Sequence, residues 1–218
     1  MNVSVPFTIE QAKQLKAGDV VSIDGVIYTA RDAAHKRMLE EYDKTKKFPF
    51  DIQNQIVYYA GPAPAKPSQV IGSVGPTTSY RMDTYSPELL KFGLRGMIGK
   101  GMRDKNVIEA MKQYGGVYFG ATGGAGALLA NHVLKSDIVA YEDLGAEAIR
   151  KLVVKDFPVI VIIDSYGNNL YETEYLKYKR WFTKNTLLYT IINIVKCICN
   201  MIQIHLTIII INHILQLN

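Results

Sequence analysis

Cysteine is missing from the first 175 residues of the chain, and its only two cysteines, Cys197 and Cys199, lie near the C-terminal end. A disulfide framework is therefore excluded for residues 1–175, and so is a metal or cluster site built from cysteines of that segment. The chain begins with Met1-Asn2-Val3-Ser4 and lacks the charged and then apolar stretch of a secretory signal. We therefore expect a cytoplasmic protein.

Acidic residues are missing beyond Glu174. The 218 residues carry 25 Lys and Arg against 20 Asp and Glu, and the excess lies entirely after that position, at Lys177, Lys179, Arg180, Lys184 and Lys196. Residues 1–175 are thus neutral overall. The formal charge of +5 describes the end of the chain, so we expect no nucleic-acid surface on residues 1–175.

Glycine, alanine and proline are missing from residues 176–218, which are rich in Ile, Leu, Asn and Lys. We expect a domain over residues 1–175 and a separate hydrophobic tail over 176–218. A membrane-spanning helix is one interpretation, but Asn193, Gln203 and His205 are costly inside a bilayer. A soluble or interface helix and a non-native extension, such as an out-of-frame product, are the other two.

Alternating helix and strand patterns fill residues 1–175 and predict an α/β fold. Thr8 with Gln11 forms a capping box, and Asp32 and Asp104 are suited to cap helices. The predicted helices run from Thr8 to about Leu15, from Asp32 to about Tyr42, between Ser86 and Gly93, from Asp104 to Tyr114, and over Gly123–Val133. The predicted strands are Val20–Ile23 and Val26–Thr29, paired as a hairpin around Asp24-Gly25, then Ile56–Tyr59, Gln69–Val74, Gly96–Ile98, Val117–Phe119, Ile138–Tyr141 and Val159–Ile163.

The segment Gly75–Asp83 holds the densest set of groups suited to binding a small acid. A Gly-Pro turn is followed by the adjacent hydroxyls of Thr77 and Thr78 and then by the guanidinium of Arg81. A guanidinium matches a carboxylate bidentately, and the hydroxyls can donate or accept hydrogen bonds. The alternative is a hydroxyl-bonded turn with a surface arginine.

Two further cations are candidates for the same task. Arg31 follows a predicted strand and precedes a predicted helix, and Lys100 lies between two glycines, where the backbone can approach a ligand closely. A dicarboxylate needs a cation at each end. In the alternative interpretations Arg31 pairs with a nearby acid and Lys100 is a solvated loop residue.

Read in order, several segments closely resemble the beta subunit, or C-terminal region, of the iron–sulfur class I fumarate hydratase and L-tartrate dehydratase family. The segments are Ala30–Arg37, Gly75–Asp83, Ile98–Gly101, Tyr118–Ala125, Val139–Gly145, Asp156–Pro158 and Asp164–Asn168. The resemblance covers roughly Val20 to Tyr171. It implies a single swivelling three-layer β/β/α domain and a hydro-lyase that interconverts fumarate and (S)-malate.

The resemblance also implies roles for individual residues and a partner. The family's residues that match Arg31, Arg81 and Lys100 contact the substrate, and those that match Thr77 and Thr78 lie beside the reacting carbons, one of them acting as base. The family's [4Fe–4S] cluster is held by cysteines of the alpha region, so a cluster-bearing alpha subunit is the expected partner. Met1 lies only about twenty residues before the first strand of the resemblance, which leads us to expect a separate beta subunit.

One departure from the family pattern concerns the substrate. Many one-chain fumarases carry Ala-Gly where this sequence has Ser79-Tyr80. The spacing to Arg81 is kept, so the reaction type is expected to be the same while the pocket differs. L-tartrate is the alternative substrate, and a dicarboxylate-binding or assembly module without catalytic activity is the alternative function.

Overall fold

The computed structural model describes residues 1–122, 124–174 and 176. The chain divides into two compact units, Met1–Tyr171 and Glu172–Asn218, and all elements below belong to the first. Apart from Leu176, the predicted tail lies outside the described residues, as do its cysteines Cys197 and Cys199. In the described part of the chain, no helix has the length and apolar character needed to cross a membrane.

Strands and helices alternate along the first unit. The strands are β1 (Asn2–Ser4), β2 (Val20–Thr29), β3 (Ile56–Tyr58), β4 (Gly96–Gly99), β5 (Val117–Gly120), β6 (Val133–Ala140) and β7 (Ile149–Ile163). The α-helices are α1 (Ile9–Gln14), α2 (Asp32–Thr45), α3 (Ser86–Lys91), α4 (Lys105–Tyr114) and α5 (Gly126–Ala130). Two 3₁₀-helices cover Ser79–Met82 and Glu142–Glu147. The predicted mixed α/β class is confirmed.

The strands pair in the order β1-β2-β3-β4-β5-β7-β6, with a further pairing between β2 and β7. Strands β1 to β5 run parallel to one another, and β7 is antiparallel to β2, β5 and β6. Because β7 pairs with both β2 and β5, the strands β2, β3, β4, β5 and β7 form a closed ring. Closure removes exposed edges from these five strands.

Two apolar clusters lie on opposite faces of the strands. One contains Tyr58, Ile98 and Phe119. The other contains their sequence neighbours Tyr59, Met97 and Tyr118, together with apolar residues of α2, α3 and α4. Successive strand residues point to opposite faces, so β3, β4 and β5 each supply both clusters. The finer three-layer β/β/α arrangement stays a prediction of the family resemblance.

The predicted hairpin around Asp24-Gly25 is wrong. Residues 20–29 form one continuous strand, and β7 pairs along it from Val20↔Ile160 to Thr29↔Arg150. Gly25 has a φ of +119° and lies at a register shift, so the strand bulges there instead of reversing. The Asp24 carboxylate accepts hydrogen bonds from Asn2 Nδ2 at 2.8 Å and Asp156 N at 2.6 Å. Asp24 therefore stabilises the contacts of β2 with its neighbours and does not form a turn.

Other element boundaries also differ from the predictions. The segment Gln69–Val74 is not a strand: the Ser73 carbonyl accepts from Ala63 N, and Val74 N donates to the Gly126 carbonyl at the start of α5. Of the predicted helix Gly123–Val133, only the five residues of α5 are α-helical among the described residues. Val133 already belongs to β6. The apolar stretches Ile138–Tyr141 and Val159–Ile163 mark only the ends of the longer strands β6 and β7. The expectation that both runs are buried holds only in part, since Val159, Val161 and Ile163 are buried while Ile138 and Val139 are exposed.

His35 is fully buried on α2. Its Nδ1 lies 2.7 Å from the Arg31 carbonyl oxygen, which can only accept, so Nδ1 carries the proton. The ring packs edge-on against Tyr59, with centroids 5.3 Å apart. Burial lowers the pKa of His35 to about 4, because an imidazolium cannot be hydrated there.

We predict that the chain loses stability between pH 7 and pH 5 because His35 must charge on unfolding. Its folded pKa of about 4 lies below the ordinary value of 6.5. The contribution of the neutral ring is therefore complete above pH 6.5 and is lost as the pH falls toward 4. Linkage lowers the free energy of unfolding by about 2 kcal/mol at pH 5, which urea unfolding at the two pH values measures.

Two histidine variants isolate this effect. His35→Asn keeps an N–H near the Arg31 carbonyl but does not titrate, so it should lose most of this pH dependence. His132→Asn alters a histidine that is not buried and should behave as the wild type does. A pH dependence of equal size in wild type and His35→Asn would show that other groups cause it.

Candidate functional site

The Thr-Thr segment lies at the carboxyl ends of two neighbouring parallel strands. Thr77 N donates to the Tyr59 carbonyl, just after β3, at 2.6 Å. Ser79 N donates to the Lys100 carbonyl at 2.9 Å, and Lys100 N donates to the Thr77 carbonyl at 3.3 Å. The segment therefore continues the sheet beyond β4 and places its side chains at an edge where ligands of α/β proteins commonly bind.

Local chemistry explains this conformation. Pro76 forms an isolated antiparallel bridge with Ala60 and directs the chain toward the end of β3. Thr78 then precedes the 3₁₀-helix Ser79–Met82, and its hydroxyl makes no capping hydrogen bond. This 3₁₀-helix places Arg81 on the same side as Thr77 and Thr78. The Thr78 hydroxyl thus remains available for a ligand.

A cavity of about 410 Å³, open to solvent, lies over this segment. It is lined by Pro76, Thr77, Thr78, Tyr80, Arg81 and Lys100. The structure therefore brings together four of the five predicted site residues, namely Thr77, Thr78, Arg81 and Lys100. A volume of a few hundred cubic ångströms suits a small ligand.

Lys100 and Arg81 differ in their surroundings. Lys100 is exposed and takes part in none of the ion pairs of the described residues. Arg81 is partly buried, and its Nη2 lies 3.7 Å from Asp32 Oδ1. The Arg81 Nε is buried without a hydrogen-bond partner among the described residues. This N–H can donate a hydrogen bond to an anionic ligand without first giving up another partner.

Arg31 does not line the cavity. Its Nη2 pairs with Glu147 Oε1 at 3.0 Å, and its Nε lies 3.8 Å from Asp32 Oδ1. Glu147 Oε2 also accepts a hydrogen bond from Ala33 N at 3.1 Å. Arg31 is thus paired with nearby acids, while Asp32 links it to Arg81.

The predicted capping role of Asp32 is wrong. Arg31 occupies the N-cap position of α2 without a side-chain capping bond, and Asp32 is the first helical residue. Glu147 performs the capping, through Ala33 N, from more than a hundred residues away. Local sequence cannot reveal a cap supplied by a distant segment.

Behind the cavity, sequence reasoning missed the buried Arg103, whose side chain is fully shielded from solvent. Its Nε donates to Asp83 Oδ1 at 2.6 Å, and its Nη2 donates to Ser86 Oγ at 2.7 Å. Asp83 Oδ2 accepts from Asp104 N at 2.7 Å. Nothing in the local sequence distinguishes Arg103 from a surface arginine.

In the described part of the chain, no group of three or more His, Cys, Asp or Glu side chains could hold a metal ion. The cationic and hydroxyl groups of the cavity instead match the chemistry of carboxylates. What the arrangement can do is bind a small acid through Arg81 and Lys100 and hold its carbon atoms against the two threonine hydroxyls.

Comparison with known proteins places this chain in a family. The model of the family described as Fumarase C-terminus matches residues 1–174. A Methanocaldococcus jannaschii protein, provisionally named L(+)-tartrate dehydratase subunit beta, is 43% identical over 171 residues, which cover 76% of this chain and 88% of the relative.

Class I fumarate hydratases are longer relatives. The aerobic enzyme of Escherichia coli (strain K12) is 39% identical over 166 residues, covering 75% of this chain and 30% of the relative. Fumarate hydratase 1 of Leishmania major, a mitochondrial protein, is 36% identical over 174 residues, covering 79% of this chain and 32% of the relative. The chain spans about a third of the length of these two proteins. Because the family model extends over most of the chain, and the match to the M. jannaschii protein over most of that relative, the chain belongs to the Fumarase C-terminus family.

Proposed function

We propose that this chain is the beta subunit of a hydro-lyase that interconverts fumarate and (S)-malate. The observation that carries the proposal is the meeting of Thr77, Thr78, Arg81 and Lys100 at one cavity. Relatives named as class I fumarate hydratases support the reaction class. A relative of the beta type, matched over 88% of its length, supports the subunit assignment.

The proposed roles follow from the chemistry of each group. The planar guanidinium of Arg81 binds one carboxylate through two parallel hydrogen bonds, and the ammonium of Lys100 neutralises the other. Thr77 or Thr78 moves the proton at the carbon that gains or loses it. A free hydroxyl is a weak base, so the threonine needs an activating neighbour. Arg31 stays a proposed substrate contact that would require release from Glu147.

The [4Fe–4S] cluster of the family does not fit this chain's described residues. Such clusters need cysteine thiolates, and residues 1–175 contain none. The described residues hold no other group of ligands that could replace them. We therefore propose that an alpha subunit binds the cluster, and we assign no step of the reaction to a metal on this chain.

L-tartrate is the second candidate substrate. It is favoured by the name of the M. jannaschii relative and by Tyr80, which lines the cavity and is 65% exposed. Ser79, the other departure from the fumarase pattern, is fully buried, bonds Tyr118 and does not line the cavity. Tyr80 is therefore the residue through which substrate choice can differ. A dicarboxylate-binding or assembly module without turnover is the remaining alternative.

The same proposal includes the chain's organisation. Residues 1–175 form the three-layer β/β/α domain, and residues 176–218 form a tail outside it. The protein acts in the cytoplasm, with a small dicarboxylate and the alpha subunit as its partners, and without nucleic acid.

Reconstitution with an alpha subunit tests the function. The complex, assembled anaerobically, should hydrate fumarate and dehydrate (S)-malate, while this chain alone should bind no stoichiometric iron and show no turnover. Iron and sulfide analysis and assays on fumarate, malate and tartrate measure both. Turnover by the chain alone would contradict the partner assignment. A complex that binds these acids without converting them would favour the non-catalytic module.

Arg81→Lys should sharply reduce kcat/KM of the reconstituted complex. Lysine keeps the charge but cannot form two parallel hydrogen bonds, which costs about 2–4 kcal/mol, or about 30- to 1000-fold. Arg37→Lys is the matched control, since Arg37 forms a bidentate pair with Asp143 and does not line the cavity. Kinetics of Arg81→Lys equal to those of this control would remove Arg81 from the site.

Arg31→Lys separates two roles for the remaining predicted contact. If Arg31 contacts the substrate, kcat/KM falls in the complex while the melting temperature changes little. If its pairing with Glu147 is its main role, the melting temperature falls and the kinetics of the folded complex persist. We expect the first result, and the second would limit Arg31 to holding α2.

A further inference from the structure

A single buried hydroxyl lies beneath the candidate site and contacts both of its loops. Tyr118, on β5, is fully shielded from solvent. Its hydroxyl lies 2.9 Å from Ser79 Oγ and 2.9 Å from the Gly101 carbonyl oxygen. Ser79 follows Thr78 directly, and Gly101 follows Lys100. One atom therefore connects the loop of the threonines to the loop of the lysine.

The direction of the two hydrogen bonds follows from proton counting. A phenol carries one proton, and a carbonyl oxygen can only accept. Tyr118 must therefore donate to Gly101, and the Ser79 hydroxyl must donate to Tyr118. Ser79 is also fully buried. Without the Tyr118 hydroxyl, the Ser79 donor and the Gly101 acceptor would both lose a partner that water cannot easily replace.

The Tyr118 ring is held by the buried Arg103. The guanidinium of Arg103 lies 5.1 Å from the centroid of the Tyr118 ring and 5.4 Å from that of Tyr59. Its hydrogen bonds to Asp83 and Ser86 tie the segment that follows Lys100 to the segment that follows Arg81. The ring thus packs against a cation that is itself fixed on both sides, which leaves the phenol little freedom to move.

The two loops approach each other so closely that glycine is required between them. A Cβ atom at Gly99 would collide with Ser79 Oγ. Gly101 has a φ of +86°, a conformation that side-chain-bearing residues rarely adopt. Lys100 therefore lies in a turn between Gly99 and Gly101. The path of this turn depends on the contact of Gly99 with Ser79 and on the orientation of the Gly101 carbonyl. Both of these contacts involve the Tyr118 hydroxyl, directly or through Ser79.

We propose that Tyr118 is a positioning residue, whose hydroxyl fixes Lys100 relative to Thr78 and Arg81. It does not contact the cavity, so its effect on the substrate passes through the two loops. The kinetic consequence rests on the proposed function, whereas the coupling of the loops does not.

Tyr118→Phe tests the proposal in the reconstituted complex. We expect kcat/KM to fall by about 10- to 100-fold, since small displacements of a positioned group have effects of this size. The loss should appear mainly in KM, because Lys100 binds a carboxylate in both ground and transition states. Tyr58→Phe is the matched control, as it removes an equally buried hydroxyl that donates to the Val74 carbonyl at 2.6 Å.

Amide hydrogen exchange on the full chain provides a readout that does not depend on activity. Tyr118→Phe should speed exchange at residues 78–82 and 99–103 and leave α1 and α2 unchanged, whereas Tyr58→Phe should not affect residues 99–103. Ser79→Ala also removes a single hydroxyl and breaks the link at Ser79, while the bond from Tyr118 to Gly101 stays. It provides the test if Tyr118→Phe does not fold.

The kinetic and exchange measurements together distinguish three outcomes. If exchange at residues 99–103 matches the Tyr58→Phe control, the positioning role is wrong whatever the kinetics. If exchange rises but kcat/KM stays equal to that of the control, the link is structural only, and the proposal is also overturned. If the wild-type complex converts none of fumarate, malate and tartrate, the proposed function fails, while the exchange data still decide whether Tyr118 couples the loops.

Discussion

The pairing of β7 with both β2 and β5 is the constraint on which the rest of the structure depends. Residues 150–160 of β7 pair with β2 along one edge, and the C-terminal part of β7 pairs with β5 on the other. This pairing closes the ring and holds β3 and β4 side by side as parallel strands. Their carboxyl ends then lie at one rim, where Thr77 and Lys100 pair through their backbones. Without closure, the two loops of the site would have no common support.

A buried polar layer adds precision to this support. Arg103 donates to Asp83 and Ser86 directly behind the cavity, and the Tyr118 ring, whose hydroxyl donates to the Gly101 carbonyl, packs against its guanidinium. A buried charge is tolerated only when it is paired and hydrogen-bonded, and its partners are therefore fixed in position. The exposed side of the same loops carries the groups proposed to bind substrate. The site thus combines a rigid inner layer with side chains that remain open to a ligand.

Sequence reasoning identified the chemistry of the site better than its geometry. The hydroxyls and cations of Thr77, Thr78, Arg81 and Lys100 could be found because they lie beside glycine and proline turns. The hairpin at Asp24-Gly25 was wrongly predicted, because pairing with the distant β7 overrides a local turn signal. Arg103 was missed for a related reason, since burial of an arginine depends on residues far along the chain. Capping by Glu147 likewise cannot be seen within one helix.

Asp32 affects the net charge of the candidate site. Its carboxylate lies between the guanidiniums of Arg31 and Arg81, and Glu147 adds a second negative charge beside Arg31. Two neighbouring cations repel each other, and an acid between them reduces that repulsion. The arginine side of the site is therefore close to neutral before any ligand arrives, and Lys100 is its uncompensated cation among the described residues. Under the proposed function, discrimination between a singly and a doubly ionised acid falls chiefly to Lys100, while the planar groups of the arginines contribute shape. In the proposed site, Asp32 and Glu147 thus act as built-in counter-ions of the arginines, and Lys100 carries the charge that a ligand would neutralise.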